Sequence, residues 1–134
     1  MKVLTVREPW AGLIASKVKT IETRSWKTNY RGEIYIHTGL SKDPVPEEVA
    51  DDYKKLSSKP GYIIAKCNLK DCIYMNEEFI RNAKDENIKN FVCGDYAIGR
   101  YAWILEDVEY VSPIKACGKL GLWNFPNEIY TENV

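Results

Sequence analysis

The run KVKTIETRSW, from Lys17 to Trp26, decides how we interpret the rest of this sequence. From Thr20 onward its residues alternate with a period of two, which is typical of a β-strand. Successive side chains of a strand point to opposite faces, so Glu22, Arg24 and Trp26 are predicted to share one face. A carboxylate, a guanidinium and an indole on one short strand form the first candidate site.

The charges of the chain are distributed unevenly. Residues 1–32 contain seven basic and two acidic residues, whereas the other 102 contain twelve basic and seventeen acidic residues, at zero formal net charge overall. A positive N-terminal part on a neutral chain indicates an anionic partner. Trp10 and Trp26 lie in the same part, and indole rings stack on nucleobases while lysine and arginine neutralise phosphates. This combination favours a nucleic acid as the partner.

Length and composition predict one domain spanning residues 1–134, because 45% apolar residues in 134 suffice for a single core. We see no secretory signal and no apolar run of membrane-spanning length, so we expect a cytoplasmic protein without a membrane partner. The four cysteines lack the paired spacing of structural zinc sites, and we interpret them as reduced thiols. No metal and no cofactor are expected. The even count leaves a disulfide or a metal site as the alternative.

The pattern predicts about six or seven strands and two or three helices. Extended segments are predicted at residues 3–6, 20–26, 33–38, 62–69 and 95–105, with short late strands between 108 and 124. Helices are predicted at 10–16 and 47–56, and residues 76–90 are predicted to form a peripheral helix or an ordered excursion. Within 33–38, Ile34 and Ile36 are predicted to face the core and His37 to face outward. Trp103 and Trp123 are predicted to be core residues. Short connections in the second half favour a mainly antiparallel sheet, closed or nearly closed, in an α+β fold.

Several separate blocks of the chain, in this order, resemble the ASCH domain, the activating signal cointegrator homology family. These blocks are Pro9-Trp10, Lys19 to Trp26, Tyr30 to Gly32, Ile36-His37, Gly99 to Leu105 and Gly118 to Trp123. The family motif Gly-x-Lys-x-x-Glu-x-Arg falls on Lys17, Lys19, Glu22 and Arg24, with Lys17 where glycine is usual.

The resemblance implies a PUA-like fold, a small mixed or antiparallel β-barrel of about six or seven strands flanked by two or three helices. It also implies a cleft in which the lysine, glutamate and arginine of the motif gather. Family members are regarded as RNA- or nucleic-acid-binding modules and are often suggested to act in transcription or RNA processing.

One branch of the family resembles hydrolases that remove the acyl group from N4-acylated cytidine. That branch uses a lysine, a threonine three residues later and a distant glutamate. Lys19 matches the lysine, but Glu22 occupies the threonine position, while Thr20 and Thr23 lie one or two residues away from it. We identify no residue for the distant glutamate, so the match to this branch is incomplete.

We therefore predict a cationic, aromatic-edged cleft that accepts single-stranded nucleic acid, RNA rather than DNA, or a modified nucleotide. The predicted roles are phosphate binding by Lys19, Arg24 and Arg31, contacts to polar edges by Glu22 and His37, and stacking by Trp26 or Trp10. Each residue has a structural alternative: an ion pair on a solvated strand for Lys19, Glu22 and Arg24, a core position for the tryptophans, a turn anchor for Arg31 and a satisfied structural histidine for His37.

Two other functions stay open at this point. The first is a hydrolase acting on a modified nucleoside or on RNA, as an amidohydrolase or a ribonuclease, with Lys19 and Glu22 as the acid–base pair. The second is a module that binds a protein partner through the acidic segment 47–56, which carries Glu47, Glu48, Asp51 and Asp52.

Overall fold

The computed structural model describes residues 1–57 and 59–126. Its strands are β1 (Lys2–Glu8), β2 (Ile21–Arg24), β3 (Gly32–Lys42), β4 (Tyr62–Tyr74), β5 (Tyr101–Lys115) and β6 (Leu122–Asn124). Its helices are α1 (Trp10–Ala15), α2 (Ala50–Lys54), α3 (Glu77–Glu86) and α4 (Ile88–Phe91), with a 3-10 turn at Glu47–Val49 before α2. The fold is α+β, as predicted.

The six strands form one mixed sheet in the order β2-β5-β4-β3-β1-β6. Only β1 and β3 pair in parallel, and the chain between them passes through α1 and β2. β6 pairs with β1 at residues 2–4 alone, so the second half of β1 has no ladder partner on that side among the described residues. β2 pairs only with β5. The sheet therefore has a gap in its backbone ladder beside the second half of β1.

Helix α1 covers the sheet and closes the main core. Ala11, Ile14 and Ala15 pack in one cluster with sheet residues that include Leu4 and Trp103. Trp103 is fully buried and Trp123 is buried in a second cluster, so both predicted core positions are confirmed. None of the helices in the described part of the chain has the length and apolar character needed to cross a lipid bilayer.

A buried carboxylate fixes the start of α1. Glu8, 3% exposed, accepts a hydrogen bond from the Gly12 backbone N–H at 2.6 Å and another from the Tyr53 hydroxyl at 3.2 Å. The first turn of a helix has free N–H groups, and a carboxylate there also interacts favourably with the helix dipole. The same side chain therefore ties β1, α1 and α2 together and places Trp10 at the end of β1.

The second half of the chain contains longer elements than the sequence predicts. Instead of separate short strands after residue 108, one strand, β5, continues through Pro113 to Lys115. Beyond Ile104, β5 has no strand partner on its β2 side within the described residues, so a residue without an N–H loses no ladder bond there. The expected strand start at Asp95 is wrong: β5 begins at Tyr101, and a turn that contains Gly99 at φ +93° precedes it.

Residues 76–90, predicted as one peripheral helix or an ordered excursion, form two helices, because an asparagine side chain caps the start of each. Asn76 accepts a hydrogen bond from the Phe79 N–H at 2.8 Å, and Asn87 accepts one from the Asn90 N–H at 3.1 Å. Asparagine is among the preferred N-cap residues, and Asn87 has extended backbone angles that interrupt the helix.

His37 is buried, which corrects the prediction that it faces outward. The register between β3 and β4 shifts after the pair Ile36–Ala65, so that His37 lies opposite Ile63 and Ile64 is skipped. The extra residue of this bulge, Ile64, lies on β4, so the alternation along β3 continues and His37 lies on the face opposite Ile36. The Trp123 ring, the Ala116 carbonyl and Gly118 cover that face, and His37 is therefore buried outside the main core.

Lys17 adopts a left-handed backbone conformation, with φ at +71°, in the turn between α1 and β2. This is the position where the family motif usually has glycine. For a residue with a Cβ, the left-handed conformation costs roughly 1–2 kcal/mol. The chain therefore keeps the left-handed turn with lysine in place of glycine, which lowers its stability.

Replacing Lys17 by glycine is expected to raise the free energy of unfolding by about 0.5–1 kcal/mol, because the left-handed strain is relieved and only part of it is offset by the added entropy of the unfolded chain. Urea denaturation measures the change. Lys27→Gly is the matched control, since Lys27 is exposed and is not one of the positive-φ positions. It should show no gain or a small loss. A Lys17→Gly protein no more stable than the parent would contradict strain at this turn.

Candidate functional site

A cleft of about 550 Å³ opens at the gap in the sheet, between the second half of β1 and β2. The segment after α4 and the loop before β6 complete its wall. Its charged and aromatic lining residues are Arg7, Trp10, Glu22, Arg24, Asp43, Asp95, Arg100 and Lys119. Four of these are basic and three are acidic, so the wall carries mixed charge with an excess of one positive charge.

Glu22 is the centre of an ion-pair network at the base of this cleft. One of its carboxylate oxygens is 2.8 Å from Arg24 Nη2 and accepts from Arg24 Nε at 2.9 Å, and the other lies 3.3 Å from Lys19 Nζ. Lys19 also donates to the Cys93 carbonyl at 2.6 Å, and Arg24 Nη2 donates to the Thr5 carbonyl at 3.0 Å. One carboxylate thus links β2 to β1 and to the segment after α4.

Burial separates the roles of the two cations. Lys19 is 1% exposed and lies behind the wall, where its ammonium faces Glu22, the Cys93 carbonyl and, at 6.0 Å, the Trp10 ring. Arg24 is partly exposed and is itself part of the wall. Lys19 therefore acts on the cleft through Glu22, whereas Arg24 is accessible from it.

Three further basic residues reach the cleft from distant parts of the chain. Arg7 donates to Asp43 at 3.0 Å, and Arg100 donates through Nε to the Asp95 carbonyl at 2.8 Å. Lys119 is exposed, and its ammonium lies 5.9 Å from the Trp123 ring centre. The sequence offered a signal for Arg100 and Lys119, since both lie in blocks of the family resemblance, but no pattern indicated that they line the same cleft as Arg24.

The sequence-predicted residues divide into those at the cleft and those away from it. Trp10 lines the cleft, and its indole N–H donates to Asp43 at 2.9 Å. Trp26 is outside the wall and meets Trp103 edge to face at 4.8 Å. The strand ends at Arg24, so the alternation that predicted a shared face does not extend to Trp26. Arg31 is also outside the wall and donates to the carbonyls of Thr28 and Tyr30 and to Asp71 at 3.4 Å.

His37 is outside the wall of the cleft and belongs to a chain of hydrogen bonds. The Trp123 N–H donates to the Thr5 hydroxyl at 3.1 Å, that hydroxyl is 3.2 Å from His37 Nδ1, and His37 Nε2 is 2.7 Å from the Ala116 carbonyl. Because a carbonyl oxygen can only accept, Nε2 carries a proton, and Thr5 then donates to Nδ1. Both ring nitrogens are occupied within the protein, so His37 orients Thr5, which lines the cleft.

The acidic segment 47–56 is separate from the cleft. Asp52 is paired with Lys89 at 3.1 Å and Asp51 with Lys54 at 3.3 Å. None of Glu47, Glu48, Asp51 and Asp52 lines the cleft wall. Among residues 1–57 and 59–126, no three His, Cys, Asp or Glu side chains gather into a group that could hold a metal ion.

The cysteines are free thiols in the described residues, and one of them lines the cleft. Burial raises the pKa of Cys93 to about 11, against a lowering by the nearby Lys19 ammonium. Burial also raises the pKa of Cys67 to about 12. At neutral pH both remain protonated, so Cys93 is a poor nucleophile despite its place at the cleft.

Comparison with known proteins places this geometry in context. The model of the ASCH domain family matches residues 4–116. Activating signal cointegrator 1 of Homo sapiens is 33% identical over 82 residues, which is 52% of this chain and 14% of that protein. The Mus musculus protein of the same name is 29% identical over 103 residues, 66% of this chain and 18% of its own length. The chain therefore spans less than a fifth of these curated relatives.

Two solved structures share the fold. The crystal structure of ASCH from Zymomonas mobilis superposes with a TM-score of 0.62 at 16% identity, covering 98% of this chain and 92% of that chain. A mutant of the same bacterial protein gives a TM-score of 0.61 at 15% identity, with coverages of 98% and 94%. At this level of identity the likeness concerns the fold alone.

Substituting Glu22→Gln is expected to lower the free energy of unfolding by about 3 kcal/mol, because the buried Lys19 ammonium loses its counter-charge. Adding Lys19→Met should recover part of this loss, since the unpaired buried charge is then absent. Chemical denaturation of the two single variants and the double variant measures the coupling. Additive losses in this cycle would contradict a direct interaction between the two side chains.

Reaction with an aromatic disulfide reagent at pH 8 is expected to modify one thiol quickly in the folded protein, namely the exposed Cys117. The three buried thiols should react only after unfolding in guanidinium, because burial covers them in the folded protein. The Cys117→Ser variant should show no fast phase. A second fast thiol in the folded protein would show that Cys93 is more accessible and more acidic than the structure indicates.

Proposed function

This chain belongs to the ASCH domain family, and from that premise we propose that the cleft between β1 and β2 binds single-stranded RNA, with one nucleotide, ordinary or modified, inside it. The supporting observation is the combination in one recess of a buried carboxylate, an indole and arginine N–H groups that have no protein partner among residues 1–57 and 59–126. The volume of about 550 Å³ falls in the usual range of roughly 300–1,000 Å³ for small-ligand sites. That size suits one unstacked nucleotide and excludes a duplex.

Arg24 and Arg100 each use some of their N–H donors within the protein and leave the others available to a ligand. Arg24 uses Nε and Nη2, and Arg100 uses Nε and Nη2, each with a carboxylate or a backbone carbonyl. For their Nη1 atoms no protein partner occurs among the described residues. A guanidinium has five N–H donors in a fixed plane, so these side chains are already oriented to donate to phosphate oxygens.

Glu22 supplies an acceptor at the base of the cleft. A carboxylate offers about four acceptor positions, and Arg24 and Lys19 occupy roughly three of them. The remaining position suits an N–H group of a base or a ribose hydroxyl. In this proposal Trp10 gives one apolar wall for the base, and Lys119 contacts phosphate at the rim. Trp26 and Arg31 contact RNA only where a longer strand extends beyond the cleft.

The setting we propose is transcription or RNA processing. The curated relatives are named activating signal cointegrator 1, and the part of them that this chain matches would serve as their nucleic-acid-binding module. A cytoplasmic location and a protein partner through the acidic segment 47–56 remain predictions from the sequence.

A hydrolase is the second candidate, because Lys19 and Glu22 lie 3.3 Å apart at the base of the cleft. Lys19 is covered by Glu22 and the Cys93 carbonyl, so in this alternative Glu22 is the group that exchanges a proton with the substrate and Lys19 holds its charge. Binding and hydrolysis are separated by the fate of the ligand, which is recovered unchanged in the first case and converted with multiple turnover in the second.

RNA binding through this cleft should respond in opposite directions to two substitutions of its exposed charges. Lys119→Gln is expected to weaken binding of a mixed-sequence single-stranded RNA octamer and to reduce the slope of log K against log salt by about 0.7, the share of one phosphate contact. Asp95→Asn should strengthen binding, because it removes a negative charge from the wall and loosens the 3.7 Å contact to Arg100. Fluorescence anisotropy at several salt concentrations measures both effects.

Lys84→Gln is the matched control, since Lys84 is an exposed lysine on α3 that does not line the cleft. It should leave the salt slope unchanged. Mass spectrometry of the recovered RNA and of a panel of modified nucleosides tests for conversion. Equal responses of all three variants would contradict binding at the cleft, and turnover that is lost in Glu22→Gln would replace the binder by the hydrolase.

A further inference from the structure

A second recess of about 400 Å³ lies next to the cleft, on the other side of the loop 118–121. The two recesses share four wall residues, namely Thr5, Arg7, Lys119 and Leu120. The second is completed by residues at the end of β3, among them Leu40 and Ser41. The loop 118–121 therefore separates the two recesses, and Lys119 and Leu120 line both of them.

The loop 118–121 is held in place at Gly118, which packs on two side chains of the sheet. A Cβ on Gly118 would lie 3.1 Å from His37 Cε1 and 3.1 Å from the Thr5 side chain, so the loop packs directly on that pair. Thr5 and His37 are in turn held by the hydrogen bonds to Trp123 and to the Ala116 carbonyl. A larger residue at position 118 would force these side chains to move by a few tenths of an ångström. The loop segment that carries Lys119 and Leu120 is therefore packed against hydrogen-bonded side chains at its start.

The cleft is lined by many charged side chains, whereas the second recess is partly apolar. Two basic residues, Arg7 and Lys119, line both. The second recess is flanked by two leucines that are almost fully exposed, Leu40 at 85% and Leu120 at 98%. Apolar side chains exposed beside a concave surface indicate a site that a ligand covers. At the boundary stand Arg7, which uses only Nη1 toward Asp43, and Lys119, which has no carboxylate partner among the described residues.

We propose that the two recesses are consecutive nucleotide subsites, and that the phosphate joining two nucleosides lies between them on Arg7 and Lys119. The inference rests on the proposed RNA-binding function and adds a site size to it. The first nucleotide occupies the cleft of Glu22 and Arg24, and the base of the second packs between Leu40 and Leu120 with its polar edge toward Ser41. The smallest ligand that fills the site is a dinucleotide.

Competition with the labelled RNA octamer tests this site size. The ligands are the four nucleoside 5′-monophosphates, the sixteen 5′-phosphorylated RNA dinucleotides and a set of trinucleotides. The best dinucleotide is expected to bind about tenfold or more tighter than the best monophosphate, the size of one additional base contact. A third nucleotide should add less than roughly threefold, since it extends beyond the two recesses.

The Ser41→Trp variant locates the second subsite. Ser41 is exposed at the wall of the second recess and does not line the first, so an indole there fills the second space alone. Dinucleotide affinity should fall to the level of the monophosphate. Ser112→Trp is the matched control, because Ser112 is an exposed serine on β5 that lines neither recess. It should keep the dinucleotide gain, and thermal unfolding verifies that both variants fold.

The outcomes distinguish this inference from the function on which it rests. If the octamer and the monophosphates bind, and Lys119→Gln and Asp95→Asn act in opposite directions, but the dinucleotide gain is absent or survives Ser41→Trp, the second subsite is overturned and the cleft remains. If neither the octamer nor any shorter ligand binds, both proposals are overturned.

Discussion

The rest of this structure depends on one buried carboxylate that stands between two cations. Glu22 is 7% exposed, yet it holds Lys19 and Arg24, and these two reach a carbonyl after α4 and a carbonyl of β1. A buried ion pair adds little net stability over well-packed apolar residues, but removing one partner leaves the other as an uncompensated charge. The network therefore specifies how three segments meet, at a place where the backbone ladder of the sheet is interrupted.

This interruption creates the cleft and also determines its electrostatic character. The second half of β1 and the outer edge of β2 are connected by the Arg24 side chain rather than by strand pairing, and the space between them becomes the recess. The wall has four basic and three acidic residues, so most of its cations already have a carboxylate or carbonyl partner. Recognition in such a site relies on the geometry of the remaining N–H groups more than on a strong positive field.

The positive N-terminal part of the sequence supplies only some of the basic residues in the wall of the cleft. Arg7 and Arg24 come from it, whereas Lys119 and Arg100 come from the other end of the chain, where acidic residues dominate. Lys19, the lysine of the family motif, is inside the protein rather than in the wall. A charge count along the chain cannot separate a buried counter-ion from an accessible cation, because burial depends on contacts between distant segments.

The sequence by itself determined the α+β class, the family, most of the strands and helices and the proximity of Glu22 to Arg24, because these follow from side-chain periodicity, capping residues and spacing within about ten residues. Only the tertiary structure decided the burial of His37 beneath Trp123 and the segment 116–118, the continuity of β5 through Pro113 and the convergence of Arg7, Arg100 and Lys119. The burial of a strand face depends on which distant segment packs on it, and a cleft depends on where unpaired strand edges face each other. Both are properties of contacts between residues far apart in the chain, which local patterns do not record.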